Sequence, residues 1–375
     1  MAFLSGPAVA SRTVTESYAV PADGVLRLTG HGYGHGHGMS QYGAQGAALQ
    51  GLSAAQILAF YYPGTSSALT RGRIGVLIGA DTDHDVRVAP ASGLRVRAVG
   101  GTSYLLPTGG GIRTWRLRVV GGRTTLDYDD GTWHTYRPGG TDLTGDAEFY
   151  GPTVLTLRVA GGTRTYRGTL RLSGGSTVNW VSMNDYVRGV VPREMPASWQ
   201  PAALQAQAVA ARTYGAWDRA AHPTRSWQTC DSTSCQVYGG YAAEDPRSDA
   251  AVAATSRQVL LWQGAPAFTQ FASSSGGWTA DGGMPYLVAE ADPYDGFAGN
   301  PVHTWTTSVT RAAVQRAWPS LGTLRRVRIT QRDGHGQWFG RVERMTLVGS
   351  RSNVTTDGST FRSRMGLRSS WFHFG

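Results

Sequence analysis

The chain has no lysine; all 35 of its basic residues are arginine. A GC-rich genome accounts for that bias without any functional demand for guanidinium. No run of 18 or more apolar residues exists, which excludes a membrane-spanning helix. Cysteine is scarce, with only Cys230 and Cys235, and their spacing matches no standard zinc signature. The net charge of +10 favours polyanions. No dense basic run or nucleic-acid fold signature accompanies it, which argues against nucleic acid as the partner.

What is present fits a globular chain. With 375 residues, 41% of them hydrophobic, a sizeable core is available as one large domain or two lobes. The start, M-A-F-L-S-G-P-A-V-A-S-R, is too short for a signal peptide, yet Ala8-Val9-Ala10 looks like the cleavage site that closes one. The expectation is a missed, longer leader and a flexible lead over residues 1–24. A short strand is expected over 25–30, then a Gly-His loop at 31–37 and a helix from the M-S-Q-Y-G-A segment. A second helix starts at the N-cap candidate Ser53 and stops before Pro63. From Arg73 to Val181 short alternating strands are punctuated by Gly-Gly pairs, and alternate arginines at 116, 118 and 158 mark a solvated face. Pro201 opens a helix running to about Arg219, with Leu204, Ala208 and Ala211 on one stripe. The fold class is α+β: a β-rich lobe of short antiparallel strands packed with a helical segment.

The chemistry centres on one carboxylate. Glu194 is expected in a short turn between an apolar strand and the Pro201 helix, among Val190, Val191, Pro192, Met195 and Pro196. Burial penalises the charged form of a carboxyl group, which suits a general acid. The positive end of the following helix would oppose that. Ordinary glycoside hydrolysis needs two carboxylates. Asp185 and Asp218 are nearest in sequence, and Asp231 or Asp292 could approach in the fold.

These residues sit in a longer pattern: Tyr186, Gly189, Val190, Val191, Glu194, Met195 and Pro196, then A-L-Q-A-Q-A-V-A-A-R-T-Y at 203–214. C-D-S-T-S-C-Q-V-Y-G-G at 230–240, S-S-S-G-G at 273–277 and D-P-Y-D at 292–295 follow. The pattern resembles the SpoIID/LytB family, which acts on bacterial peptidoglycan. In relatives a G-H-G-x-G-M-S-Q segment closes the domain, after a run like the G-L-R-S-S-W-F at 366–372. Here the Gly-His segment opens the chain, so the resemblance implies a circular permutation with that loop packed beside the final strand. The implied SpoIID-like domain spans 25–375. Residues 25–70 form its displaced segment, 71–182 its β-rich lobe and 183–375 its catalytic core.

The resemblance also supplies roles. It implies Glu194 as acid/base of a lytic transglycosylase, in which the muramic acid 6-hydroxyl replaces water and one carboxylate suffices. Candidate substrate-binding residues are Arg212, Gln236, Tyr238, Ser273, Ser274, Ser275, Gly276, His35 and Gln41. Tyr238 has simple packing as its other reading. Some relatives carry His before the serines, where Ala272 stands here. An oxidising compartment makes a Cys230–Cys235 disulfide the simplest reading. Because some relatives hold zinc in this loop, a metal site with His222 is the alternative; no other cofactor is expected. His31, His35 and His37 read as closely packed backbone with lining imidazoles instead of a metal box. The implied partners are glycan strands, with stem-peptide carboxylates and teichoic acids attracting the positive surface. Two other functions stay open: a non-catalytic enhancer of a cell-wall amidase, and a wall-binding scaffold. Both place the chain outside the cell, at the wall.

Overall fold

A computed structural model describes residues 11–375, so the Ala8-Val9-Ala10 reading lies outside the described residues. The fold is α+β, and its chain divides into two compact units. One is continuous, Ser66–Phe268; the other joins the described residues up to Thr65 with Thr269–Gly375. The boundaries therefore fall near 65 and 268, and no boundary falls at 182.

The continuous unit holds a seven-stranded and a six-stranded sheet. In the first, Ser176–Ser182 lies between Thr169–Ser173 and Arg73–Leu77, antiparallel to both. Thr229–Cys230 adds to its edge in parallel. The expected strands at 73, 95, 114, 123, 155 and 176 are present, and the T-Y-R-G-T-L-R-L run divides into two. The alternate arginines do not simply face solvent. Arg116 and Arg118 both donate to the buried Asp127, while Arg97 and Arg171 both grip the buried Glu148. A carboxylate on a sheet surface is tolerated there because two guanidiniums satisfy it.

Helices Met183–Glu194 and Pro201–Ala221 follow the seven-stranded sheet. The second has Pro at its first turn, and Leu204, Ala208 and Ala211 are buried as their stripe predicts. The first corrects the expected strand. Ser182 caps it by accepting the Asp185 N–H at 3.1 Å, which starts a helix despite the β-branched Val187, Val190 and Val191.

In the second unit, Val25–His31 pairs on one side with Thr304–Thr310 and on the other with Phe372–Phe374. The Gly-His loop thus leaves directly from beside the final strand. Ser53 caps Ala54–Tyr61 with a reciprocal Gln56 contact. The core gathers Leu26, Leu28, Trp305, Val327, Ile329, Leu347, Phe361 and Phe372. Residues 11–24 are not a flexible lead. Arg12–Ala19 forms an edge strand against Leu324–Arg332. Its Glu16 satisfies the fully buried Arg332, with Nε–Oε1 at 2.6 Å and Nη2–Oε2 at 2.8 Å. A buried guanidinium needs such a partner, so the segment is held.

Candidate functional site

Glu194 is the last residue of its helix instead of a turn residue ahead of the next one. The dipole argument therefore reverses. A helix C-terminus is a negative end, where a negative side chain is disfavoured. The opposing element is the segment Val237–Gly239, which runs along the helix end. The Val237 N–H donates to Glu194 Oε1 at 2.9 Å, and the Gly239 N–H donates to the Gly189 carbonyl at 2.9 Å. Gly189 makes this approach possible, because a Cβ there would stand 2.5 Å from the Tyr238 ring. Glu194 is half-buried, with the exposed Arg193 beside it.

The residues expected to line a groove around it are mostly framework. Tyr238 is buried, its hydroxyl donating to Asn179 Oδ1 at 2.7 Å and its ring 5.4 Å from that of Tyr186. Gln236 is also buried and donates through Nε2 to the Tyr186 hydroxyl and the Ala211 carbonyl, both at 3.2 Å. Arg212 is fully buried. It donates to Asn184 Oδ1 at 3.2 Å and to the carbonyls of Gln258 and Val252 at 3.1 and 3.4 Å. Desolvation lowers its pKa to about 10. It ties the two helices to the next strand, and it cannot reach a substrate carboxylate. The motif runs marked these three positions, but a motif carries no information about which side chains are buried.

Cys230 and Cys235 form a disulfide with Cα atoms 5.5 Å apart. Both sulfurs are thereby engaged with each other, so the residues present do not fit the zinc alternative. His222 instead pairs its Nδ1 with the Asp218 carbonyl at 3.1 Å. Among the described residues no cluster of three His, Cys, Asp or Glu could hold a metal.

The other carboxylates sort clearly. Asp185 is bound to Ser182 and Arg188 at the far end of the Glu194 helix. Asp292 has its oxygens committed within its own unit: Oδ2 accepts from Ser275 and Tyr61 at 2.7 and 3.0 Å, and Oδ1 from the backbone amides of Tyr294 and Asp295. Asp231 lies between the two cysteines. Its Oδ1 accepts the Gly79 N–H at 3.1 Å, and its carbonyl accepts the Tyr238 N–H at 3.3 Å.

The serine run belongs to the unit formed by the two ends of the chain, whereas Glu194 belongs to the continuous one. Ser274 and Ser275 are buried, so their hydroxyls do not line a glycan path. They build an anion nest around Asp295 instead. Ser40 and Ser274 donate to it at 2.6 and 2.8 Å, the amides of Ser275 and Gly276 at 3.0 Å, and His303 through Nδ1 at 2.8 Å. Burial alone would raise the Asp295 pKa; bonds from His303, Ser40 and Ser274 outweigh it and hold the group ionised. The same contact raises His303. Gly276 packs so closely on His31 and Gly32 that a Cβ would overlap both. Ser273 differs, for it is part-exposed and only its carbonyl is used, by the Tyr42 N–H at 2.9 Å.

In the Gly-His loop, His35 is partly buried and accepts the His37 N–H on Nδ1 at 2.9 Å. Desolvation and then the neighbouring His37 push its pKa down to about 3. Gln41 is buried at the start of the Gln41–Leu49 helix. Both are packing positions more than lining ones. Asp295 is visible as the end of D-P-Y-D, but His303 carries no spacing signal and emerges only from the fold.

Residues 172–262 match the family described as SpoIID, Stage II sporulation protein. The chain is 37% identical over 132 residues to the amidase enhancer of Bacillus subtilis (strain 168), covering 33% of this chain and 17% of that protein. It is 28% identical over 226 residues to stage II sporulation protein D of Bacillus amyloliquefaciens, covering 54% of this chain and 63% of the relative. The Bacillus subtilis stage II sporulation protein D is 27% identical over 224 residues, with the same coverage. The chain thus spans less than two thirds of the length of these relatives. From Leu172 through Glu194, Arg212 and the disulfide loop to Trp262, the chain is similar to the SpoIID family.

Proposed function

We propose that this chain is an exported, peptidoglycan-acting lytic transglycosylase with Glu194 as its general acid and base. The observation that carries the reading is the placement of Glu194: a half-buried carboxyl at a negative helix end, aimed by the Val237 amide. Its carboxylic acid gives a proton to the oxygen joining muramic acid C1 to the next sugar. The C1–O bond breaks, and the leaving sugar departs with a free hydroxyl. The 6-hydroxyl oxygen of the same muramic acid then bonds to C1, and its proton returns to Glu194. The product is a 1,6-anhydro end, with no water consumed and no second nucleophile required.

Support for wall chemistry comes from relatives named for sporulation and for amidase enhancement. Export is consistent with the Cys230–Cys235 disulfide, a bond favoured in oxidising compartments. Among the described residues no helix is long and apolar enough to cross a membrane. The amidase-enhancer name of one relative favours a second reading, in which the chain binds glycan and activates a partner amidase.

The test is mass spectrometry of products from wild type and Glu194→Gln, incubated with peptidoglycan glycans carrying or lacking stem peptides. Anhydromuramic ends are expected from wild type, with a loss of roughly 10²- to 10⁴-fold in the variant. Reducing ends dependent on Glu194 would indicate a hydrolase. Binding without products from either protein would favour the enhancer.

A further inference from the structure

We infer that Asp231 is a second carboxylate of the Glu194 site, placed to stabilise positive charge on the sugar as the glycosidic bond breaks. The inference rests on the glycan-cleaving reading of Glu194 and adds a residue to it. Its basis is the segment Val237–Gly239. Two of its amides, those of Val237 and Gly239, donate to the Glu194 helix, to Glu194 Oε1 and the Gly189 carbonyl. The amide between them, that of Tyr238, donates the other way, to the Asp231 carbonyl at 3.3 Å. The Glu194 side-chain oxygen and the Asp231 carbonyl are therefore bound by adjacent amides of one three-residue segment.

Asp231 is also unusually well held for a loop residue. It follows the Thr229–Cys230 strand, which pairs with Arg73–Leu77. The disulfide closes the loop around it, and Oδ1 accepts the Gly79 N–H at 3.1 Å. Its own backbone amide also bears on the carboxylate. Burial raises its pKa, with the Gly79 amide and Arg164 pulling the other way. A purely structural acceptor at this position would need a carbonyl oxygen and no charge. A rigid carboxylate held beside the segment that aims Glu194 has the properties of an electrostatic partner.

The chemistry stays balanced with Asp231 as a spectator. When Glu194 protonates the leaving oxygen and the C1–O bond breaks, the ring oxygen and C1 share the positive charge. The Asp231 carboxylate lowers the energy of that state without forming a bond. The 6-hydroxyl then attacks C1 and returns its proton to Glu194.

Asp231→Asn isolates the charge, because the amide oxygen can still accept the Gly79 N–H. With denuded glycan strands, the expected result is a fall in kcat of about tenfold or more, KM unchanged, and products that remain anhydro-ended. A variant within twofold of wild type would overturn the role. So would reducing ends from wild type that vanish in the variant, since Asp231 would then be a base for water. A binding measurement keeps the inference testable if wild type releases no product and the glycan-cleaving reading itself fails. Calorimetry compares a neutral N-acetylglucosamine oligomer with the same oligomer ending in a protonated iminosugar ring. Asp231→Asn should weaken the cationic probe about tenfold and leave the neutral one unchanged. Equal weakening of both, no change in either, or no binding of the cationic probe to wild type would each refute it.

Discussion

A methyl group at position 189 would stand 2.5 Å from the Tyr238 ring and 3.1 Å from the Gly240 carbonyl oxygen. Two effects then compete. Alanine is the better helix former by about 0.8–1 kcal/mol. Overpacking a tight contact costs typically 1–3 kcal/mol. Tyr238 cannot yield easily, because it is buried and its hydroxyl is bound to Asn179. Overpacking should win, so Gly189→Ala is expected to destabilise by about 1–2 kcal/mol in urea unfolding. A more stable variant would show that the Tyr238 contact is soft. The same residue scale shows what sequence could not convey. Glu194, Arg212, Gln236 and Tyr238 were all legible as a pattern, yet only Glu194 is part-exposed and the others are buried. A motif selects residues by their order along the chain; whether each meets solvent depends on elements far away in sequence.

At the scale of elements, the Gly-His loop has a pH dependence of known sign. The folded pKa of His35, about 3, lies below its ordinary value of 6.5. The unfolded chain therefore binds more protons between those limits, and the stability His35 supports falls as pH drops below 6.5. Asp292 and Glu290 act in the opposite sense, for burial lifts them to about 6 and about 7. Net acid stability of the wild type thus mixes signs, and a difference is the cleaner quantity. Asn at position 35 can accept the His37 N–H without titrating. Relative to wild type, His35→Asn should gain about 1–2 kcal/mol on moving from pH 7 to pH 5. Denaturant titrations at both values would check this, and a constant difference would mean the imidazole is protonated in place. The elements themselves were unevenly legible. Ser53 and Pro201 announced their helices through capping chemistry. Over Met183–Glu194 the β-branched Val187, Val190 and Val191 favour a strand, and Gly189 and Pro192 are helix breakers. Ser182 capping and the Tyr238 contact outweigh those local preferences. The Arg12–Ala19 strand was hidden by its position at the chain start, although its Glu16 completes the site of a buried arginine more than 300 residues away.

At the scale of the whole chain, both ends enter one unit while the other is a single uninterrupted stretch. Leu28, Thr29 and Gly30 pair with Phe374, His373 and Phe372, and the Gly375 N–H donates to the Arg27 carbonyl at 3.1 Å. Strands that neighbour each other in one sheet do not require a particular chain order, because pairing depends on position in space. That is the physical content of the permutation implied by the motif order. It makes a demanding prediction. Tyr18 packs on Phe374 with ring centroids 5.2 Å apart, so the first described residues lie about seven strand residues, or ~23 Å, from the chain end. A flexible linker of ~16 residues has a root-mean-square span of ~20–24 Å and can join Gly375 to Ser11. New ends can be opened between Gly121 and Gly122, where a Cβ would meet nothing within 4 Å on either residue. The relinked protein should show the circular dichroism spectrum of the wild type, a Tm within a few degrees and the same glycan products. Loss of the fold would mean that the Arg12–Ala19 edge strand must form before the C-terminal strands can dock, so that chain order itself, and not adjacency alone, specifies this unit.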